Sequence, residues 1–428
     1  MSEQTHPSAS GPLSLPDAPN LEWLRKQAKH NLEKLRQTRP DAQLSDAQFD
    51  LAKLYGFPSW RALKAHVDSL TIDGQLFDAA RKGDIGKLTK LLDEHPDKLY
   101  TRTQPYEHTM LHLAAQNGQL PAVDFLLKRG IDVNTREKGD NTYAMHWAAA
   151  AGHLDVVRLL ADAGGDVIGE GDDHALGMIG WATGWEGGDD MTRRAVADFL
   201  ISRGARHHIY SAMSIYDEDE VRRIVAADPA ALGRTQSHNE DFRRPLHFAA
   251  HKGLLRMVQL LLELGADPTA TDASGYTAVA YATAPEIAQP VLEAIRARVG
   301  PTLLTSVALG EWKSAARLSS QDPDAVEREG VLHLMAKSGN LPAVKWLIDH
   351  GANPNFLWNH WGALVTPLHL ATLAGHPEVA RVLLESGADT TIRDTQHHSD
   401  AMGWAQFFKR NEIVEMIDQF RGVETQRP

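Results

Sequence analysis

Apolar residues recur at helical spacing along most of this chain. Residues 21–40 carry an apolar stripe that predicts an amphipathic helix ending at Pro40, and two further short helices are predicted over 45–54 and 57–67. From residue 74 the pattern becomes pairs of short helices joined by tight turns, clearest in residues 366–390, TPLHLATLAGHPEVARVLLESGADT. Such a pair has an apolar face that it cannot bury alone, so the pattern predicts a stack of repeats.

Five repeat units begin with a tetrad of the form TPLH. The tetrads are TMLH, YAMH, RPLH, GVLH and TPLH, and their histidines are His112, His146, His247, His333 and His369. His146 follows His112 by 34 residues, and Gly180 follows His146 by 34 residues. This near-constant spacing predicts about eleven units with a period of about 33 residues.

Three units depart from the tetrad in the same way. Their second helices, at 88–99, 221–232 and 315–326, run into an Xaa-Pro step, where proline stops a helix. These units divide the array into blocks at 74–204, 205–300 and 301–422. Blocks one and three match unit for unit, with His333 placed 221 residues after His112, which indicates an internal duplication.

Tetrads at this spacing, each followed by a glycine turn and a second helix, resemble the ankyrin-repeat family over about 350 residues. The resemblance implies an all-α ankyrin-repeat solenoid over 73–422, in which helix pairs are joined by hairpin fingers. It also implies that the fingers and first helices line a concave binding groove. The tetrad Thr and His residues are implied to hydrogen-bond within and between repeats, so the five tetrad histidines are not expected to be ligands.

The segment before the array has its own resemblance. YGFPSWRALKAHV is similar to a module that precedes ankyrin arrays in many bacterial proteins, which implies a small N-terminal helical cap over 21–72. A DNA-binding helix-turn-helix is the alternative, because residues 21–40 are locally basic. The tails at 1–20 and 423–428 lie outside these predicted domains, and the Ser, Pro and Ala content of 1–20 predicts disorder.

Composition narrows the classes of function. A net charge of −12 argues against broad nucleic-acid binding, which depends on Lys and Arg. The chain has no cysteine, which excludes disulfides, thiolate metal sites and a Cys nucleophile and suits a reducing compartment. It also has no apolar run of about 18 residues and no signal-like start, so we expect a cytoplasmic protein without a membrane partner.

The predicted fingers concentrate histidines, acids and aromatic residues. One finger carries two tryptophans, Trp358 and Trp361, expected near solvent, where large apolar side chains mark contact surfaces. The residues predicted to bind a partner or ligand are His108, Asp140, Tyr143, Asp173, His174, Trp185, His208, Trp358, His360, Trp361, His397 and His398.

An acidic, glycine-rich insertion, GWEGGDD at 184–190, lengthens one repeat and suggests a lid over the groove. Carboxylates in and near it could act as a general acid and base; the candidates are Asp172, Asp173, Glu186, Asp189 and Asp190. Neighbours on an extended segment point opposite ways, so neither Asp172–His174 nor His397–Asp400 forms a metal site by itself. No metal or cofactor is therefore predicted, and no phosphate-binding or nucleophile motif is present.

Two main hypotheses follow. The first is a scaffold whose acidic, aromatic and His-rich groove holds a protein or peptide, possibly a basic one. The second is an enzyme or a binder of small polar ligands such as glycosides, with the 184–190 segment as its lid. A pH-responsive groove is a third possibility, because histidine titrates near neutral pH. Whether the duplicated blocks form one site or two stays open.

Overall fold

Helices dominate the computed structural model, which describes residues 13–16, 19–184, 191–240, 242–283 and 288–424. The chain forms two compact units. One comprises Met1–Gly169 with Asp198–Arg203, and the other comprises Glu170–Ala197 with Gly204–Pro428. No helix in the described part of the chain is both long enough and apolar enough to cross a membrane.

Three helices open the first unit: α1 (Leu21–Arg36), α2 (Leu44–Leu54) and α3 (Trp60–Ser69). Asn20 and Ser59 cap α1 and α3 by accepting hydrogen bonds from backbone N–H groups in the first turn. The three helices share a small core formed by Leu24, Ala28, Leu51, Ala52, Leu63 and Val67. The segment predicted as a cap therefore has its own core, while its capping role stays a prediction.

A tight turn joins α3 to α4 (Ile72–Lys82), the first helix of the predicted array. Thr71 caps α4: its Oγ1 accepts from Gly74 N at 3.0 Å and donates to Asp68 O at 2.7 Å. A Cβ at Gly74 would lie 1.9 Å from Asp68 O, so glycine is needed for α4 to start this close to α3. The helices before the array are thus in close contact with its first repeat.

The remaining helices of the first unit pair as α4 with α5 (Ile85–Glu94), α6 (Met110–Gln116) with α7 (Leu120–Lys128), and α8 (Ala144–Ala150) with α9 (Leu154–Asp162). First helices of successive repeats pack on one another, as α6 does on α4 and α8.

The later helices continue in pairs, and those from residue 209 onward carry one buried apolar cluster that runs from Ile209 to Ile417. They are α10 (Gly177–Thr183), α11 (Met191–Ser202), α12 (Ile209–Ser214), α13 (Glu218–Ala227), α14 (Pro245–His251), α15 (Leu255–Glu263), α16 (Ala278–Tyr281), α17 (Ala288–Val299), α18 (Leu303–Ala308), α19 (Trp312–Gln321), α20 (Ala325–Arg328), α21 (Val331–Lys337), α22 (Leu341–Asp349), α23 (Pro367–Ala374), α24 (Pro377–Glu385), α25 (Ala401–Phe407) and α26 (Asn411–Glu424). The predicted all-α repeat fold is confirmed.

The tetrad histidines hold neighbouring repeats together. In four tetrads the ring Nδ1 accepts from the backbone N–H of the first tetrad residue, as His112 does from Thr109 at 3.3 Å. The Nε2 of each of these four histidines contacts a carbonyl oxygen of the next finger, Thr142 O in the case of His112, and His333 Nε2 contacts Val365 O in the same way. Since Nδ1 accepts and Nε2 donates, the rings are neutral structural groups.

The three proline steps end their helices as predicted. The residues before the prolines, His95, Asp228 and Asp322, all have φ near −140° and ψ of 69–95°, outside the helical region. Short 3₁₀ turns follow at Pro96–Tyr100 and Pro229–Gly233, and α20 follows the third step.

Fingers precede most first helices and are hairpins. The best formed pairs β1 (Trp358–His360) with β2 (Ala363–Val365) in antiparallel register. Single bridges, Arg136 with Tyr143 and Arg393 with Asp400, occupy the same place in two other fingers.

A buried carboxylate organises four of the fingers: Glu137, Asp172, Asp272 and Asp394. Each accepts hydrogen bonds from backbone N–H groups of its own finger. Three also accept from the ring of a first helix, as Asp394 does from Trp404 Nε1 at 3.0 Å. These acids therefore fix the fingers to the helices behind them.

Some connections between repeats form no finger, because they are short or are occupied by a helix. Residues 203–208 and 300–302 are short links, and α20 occupies the connection before α21. The fingers on either side then meet across the gap. His174 Nδ1 lies 2.6 Å from Glu240 Oε1, and the Tyr276 ring stacks on Trp358 with centroids 4.7 Å apart.

Candidate functional site

Trp361 stands at the tip of the β1–β2 hairpin. His360 pairs with Ala363, so Trp361 and Gly362 form a two-residue turn with φ of +51° and +79°, as a type I′ turn requires. The left-handed region costs a bulky residue roughly 1–2 kcal/mol, yet the side chain is 46% exposed and gains little by burial. Backbone strain that displays a tryptophan to solvent suggests a contact role.

Trp358, on the same finger, is half-buried. Its ring stacks on Tyr276 at an interplanar angle of 12° and lies 5.4 Å from the His333 ring. It also covers Gly330, where a Cβ would approach the ring to 2.1 Å. The expectation that both tryptophans lie near solvent is therefore wrong for Trp358, because this ring fills the space that the absent fingers leave.

His360 lies beneath the tip and is 4% exposed. Lys337 Nζ is 3.2 Å from its Nε2, and the Tyr276 hydroxyl, which donates to Asn359 O, is 3.2 Å from its Nδ1. An ammonium group only donates, so Nε2 accepts and Nδ1 carries the proton. Burial, followed by the charge of Lys337, lowers the pKa of His360 to about 3, and the ring is neutral at physiological pH.

Lys337 also contacts Trp361. Its Nζ lies 4.1 Å from the centroid of the indole ring, a cation–π geometry. Lys337 is the last residue of α21, a position where a cation is favoured by the helix dipole.

An apolar cleft of about 460 Å³ opens between the Trp361 tip and α25. Phe407 is 79% exposed and Phe408 is 36% exposed, and their rings meet edge to face at 5.0 Å. We call this cleft the aromatic groove; it is lined by His360, Trp361, Ala363, Leu373, Gln396, His397, Ser399, Gly403, Trp404, Phe407 and Phe408.

None of the described residues that line the aromatic groove is acidic. The nearby Asp394 is buried and accepts from three backbone N–H groups and from Trp404. Asp400 accepts from Gly403 N and from Arg421. The acidic character expected of a binding groove is therefore not found here, because the neighbouring carboxylates are engaged in holding the finger.

A smaller cleft of about 160 Å³ lies on the other side of the same tip. It shares His360 and Trp361 with the aromatic groove. We call it the Lys337 cleft; its other lining residues are His251, Tyr276, Ala280, Tyr281, Thr283, Leu334, Lys337 and Ser338.

Three residues of the first unit were predicted to bind a partner, namely His108, Asp140 and Tyr143, and they belong to two adjacent fingers. His108 packs edge-on against Trp147 at 5.5 Å, and its Nε2 is 3.7 Å from Glu137 Oε2. Burial lowers the pKa of His108. The Asp140 N–H donates to Glu137, and the Tyr143 ring lies beneath the Arg136 guanidinium at 4.2 Å.

Three candidates of the second unit lie near the first gap. Asp173 is exposed, and His174 pairs with Glu240 across the gap. His208 Nδ1 accepts from Ser211 N, and its Nε2 contacts Leu176 O at 2.9 Å. Both ring nitrogens of His208 are thus engaged inside the fold, as in the tetrads.

His397 and His398 are exposed at the finger before α25. His397 lines the aromatic groove, and its N–H donates to Asp394. His398 has a φ of +52° at the tip of its finger. Two neighbouring residues of this finger thus have different surroundings.

The candidates for acid–base chemistry are not assembled in the described chain. Asp172 is 5% exposed, and it accepts from three backbone N–H groups and from Trp181 Nε1. Trp185, Glu186, Asp189 and Asp190, and the proposed lid that contains them, lie outside the described residues. Among the residues that are described, no group of three or more His, Asp or Glu is arranged to hold a metal ion.

Sequence reasoning missed Lys337 and Tyr276. The sequence did contain a signal for Lys337, because the matching position 221 residues earlier is Gln116, so the two copies differ in charge at this position. No sequence pattern indicated a role for Tyr276, because its partner Trp358 lies 82 residues away. The two rings meet only across connections that lack fingers.

Comparisons with known proteins agree with this architecture. A family model of ankyrin repeats in three copies matches residues 76–169 and 306–394, and a second ankyrin-repeat model matches residues 224–282. Rabankyrin-5 of Mus musculus is 33% identical over 175 residues, which is 37% of this chain and 15% of that protein. The probable E3 ubiquitin-protein ligase XBOS33 of Oryza sativa subsp. japonica is 30% identical over 210 residues, 46% of this chain and 39% of that protein.

The chain thus spans well under half the length of these relatives. Among solved structures, the ankyrin repeat domain of human ASB11 is 21% identical, with a TM-score of 0.37, and the match covers 53% of this chain and 98% of that one. The ankyrin-repeat models together match more than half of the residues of this chain. The structure also has the helix pairs, fingers and tetrad hydrogen bonds that the ankyrin resemblance implied. This chain belongs to the ankyrin-repeat proteins.

Proposed function

We propose that this chain is a protein-interaction scaffold that holds a protein or peptide segment in the aromatic groove. The observation that carries the proposal is the exposure of Trp361, Phe407 and Phe408 around one cleft of about 460 Å³. Exposed aromatic clusters of this kind mark binding hot spots, because burying them on a partner releases a large apolar area from water. The ankyrin-repeat family models that match this chain add the fold-level support.

The test selects binders from a random peptide library displayed on phage, with the full chain as bait. We expect the selected peptides, once synthesised, to lose at least about tenfold in affinity to Phe407→Ala and to Trp361→Ala. The matched control is Phe49→Ala, which removes a 49% exposed phenylalanine from α2 and leaves affinity unchanged. Peptides that bind all variants equally would overturn the aromatic groove as the binding surface.

No observation on the described residues supports the enzyme alternative. Asp172 accepts hydrogen bonds that hold its own finger, Asp173 is exposed, and no described feature joins them into an acid–base pair.

The finer expectations are part of the same proposal. We infer that residues 21–72 cap the array, because α1–α3 have a separate core and α4 follows α3 through a two-residue link. The resemblance of YGFPSWRALKAHV suggests the bacterial type of this arrangement. The lack of cysteine suits the cytoplasm.

A further inference from the structure

We propose that a cavity beside Trp358 is a second binding site, which receives a lysine or arginine side chain of a protein or peptide partner on the carboxylate of Glu329. The cavity has a volume of about 510 Å³ and shares no described lining residue with the aromatic groove. We call it the gap cavity; its lining includes Tyr276, Val279, Leu304, Arg328, Glu329 and Trp358. This inference goes beyond the proposed function and concerns the basic character expected of a partner.

The gap cavity occupies the place of two missing fingers. One wall is the finger before α16, which includes Tyr276, and the other is the finger of β1, which includes Trp358. The connections between these walls are residues 300–302 and α20, and neither forms a finger. In block one, the connection that matches α20 does form a finger, in which Thr103 N donates to His108 O at 2.9 Å. The third block therefore leaves open a space that its counterpart fills.

Much of the lining is apolar. Val279, Val299 and Leu304 contribute aliphatic surface, and Trp358 adds an aromatic ring. Lysine and arginine have long aliphatic stems that pack along such surface while the charged end remains at a polar group or in water. The volume of about 510 Å³, against about 160 Å³ for the Lys337 cleft, gives room for a long side chain together with neighbouring atoms of a partner.

Glu329 supplies the negative charge of the gap cavity. Its side chain is 36% exposed and belongs to the lining. Arg328 Nη2 lies 3.9 Å from Glu329 Oε1, but the same guanidinium makes closer hydrogen bonds to Asp322, at 2.6 Å and 3.4 Å. Among the described residues, no other cation forms an ion pair with Glu329. Its carboxylate is therefore only weakly compensated within the fold.

The pKa of Glu329 agrees with this incomplete compensation. Burial raises the pKa above its usual value, the charge of Arg328 opposes the increase, and the charge of Asp322 adds to it. The ionised carboxylate is therefore less favourable in the folded chain than in the unfolded one, and it lowers stability at neutral pH. A titratable group that lowers stability and lines a cavity is a candidate for binding.

The surroundings of Glu329 also favour a cation. Residues 322–329 hold four carboxylates and one guanidinium, so the net charge of this segment is −3. The hydroxyls of Ser274 and Thr277 line the same cavity and make no hydrogen bond within the part of the chain that the structure describes, so both can accept from an ammonium or guanidinium group. A cationic side chain entering the cavity therefore meets a negative field and unoccupied acceptors.

The experiment is a subtractive selection from a random peptide library displayed on phage. The library is first depleted on the full Glu329→Gln chain, and the remaining phage are then selected on the wild-type chain. We expect the recovered peptides to be enriched in Lys or Arg over the unselected library. Once synthesised, they should bind Glu329→Gln at least about tenfold more weakly than the wild type.

Changes in the peptide complete a double-mutant cycle. Replacing the essential Lys by norleucine, or the essential Arg by citrulline, removes the positive charge and keeps most of the shape. This replacement should weaken binding to the wild type about tenfold and leave binding to Glu329→Gln unchanged, because the two charges then act as one pair.

Three variants separate the charge at the cavity from other causes. Glu329→Asp keeps the carboxylate and is expected to retain the preference for the cationic peptide. Asp324→Asn removes an exposed carboxylate from the same segment, outside the described lining, and should change affinity by less than about twofold. Glu329→Gln should keep or raise the urea midpoint, because it removes a carboxylate whose pKa is raised by burial. A lowered midpoint would identify Glu329 as a structural partner of Arg328 and overturn the inference.

The remaining outcomes decide the inference independently of the proposed function. A selection that recovers no peptide specific for the wild type, or peptides without enrichment in Lys and Arg, overturns it. An equal loss of affinity to Asp324→Asn also overturns it, because the overall charge and not the gap cavity would then decide. The aromatic groove is tested separately, by the response of the unsubtracted peptides to Phe407→Ala and Trp361→Ala.

Discussion

The stack of Tyr276 on Trp358 gives the sharpest test of how the fingers are held. The two residues belong to fingers separated by two connections without hairpins, and their rings lie 4.7 Å apart at 12°. We predict that Trp358→Ala lowers the free energy of unfolding by about 2 kcal/mol. A fully buried tryptophan costs about 3–5 kcal/mol on truncation, and Trp358 is only half-buried.

Trp361→Ala is the matched control on the same finger. Its side chain is 46% exposed, and the variant loses the stack on the His360 ring, with centroids 4.3 Å apart, and the cation–π contact with Lys337. That change is expected to cost about 1 kcal/mol or less. The difference between the two variants therefore measures packing across the gap, because both remove an indole from one hairpin.

A double-mutant cycle with Tyr276 isolates the contact. Each ring pair of this kind contributes about 0.5–1.5 kcal/mol beyond its buried area, so the coupling energy between Tyr276→Ala and Trp358→Ala should be about 1 kcal/mol. Tyr276→Phe keeps the stack and removes only the hydroxyl that contacts Asn359 and His360. It should therefore preserve most of the coupling.

The assay is urea denaturation followed by circular dichroism, with hydrogen exchange of the peptide covering 353–366 as a local readout. Repeat arrays can unfold in segments, so the midpoint and the slope m are both compared between variants. Equal stability of Trp358→Ala and Trp361→Ala, or a coupling energy near zero, would refute the reasoning that the gap is closed by this stack.

The remaining predictions concern the stability of the chain at low pH and the backbone conformation at two glycines. Burial lowers the pKa of both His112 and His333 to about 4, below the usual 6.5, so the unfolded chain binds more protons between these values. Stability should therefore fall as pH drops from about 6.5 towards 4, by about 2 kcal/mol per histidine at pH 5, and an unchanged urea midpoint between pH 7.5 and 5 would contradict this. Gly330→Ala should cost at least about 2 kcal/mol, because φ is +60° and the new Cβ meets the Trp358 ring, whereas Gly351→Ala, at φ +87° in open space, should cost about 1 kcal/mol in the same urea assay.

The repeat architecture could be read from local sequence because its causes are local. A histidine three residues after an N-cap lies close enough to accept from that residue's N–H, as His369 does from Thr366 at 3.3 Å. An Xaa-Pro step stops a helix by a clash between adjacent residues, as at Asp228. The helix pairs, the glycine turns and the ankyrin fold thus follow from the sequence, whereas helix ends were displaced by a few residues, as α1 ends at Arg36 and not at Pro40.

Only part of the candidate site could be predicted from the sequence. Sequence reasoning placed Trp361, His360 and His397 at one site, and these residues do line the aromatic groove. It read acids such as Asp172 as available for chemistry, although a finger turns its own acid inward to satisfy backbone N–H groups. Whether a carboxylate is used in this way depends on how the hairpin closes.

By itself, the sequence determined that the chain is an array of ankyrin repeats. It did not show that residues 203–208, which hold His208, form a short link without a finger. Only the tertiary structure decided that Trp358 packs inward on Tyr276 while Trp361 faces solvent. It also decided that Lys337 meets Trp361 and His360. The physical reason is distance along the chain: these contacts join repeats that stacking alone brings together, and no local pattern records which side chain fills a gap.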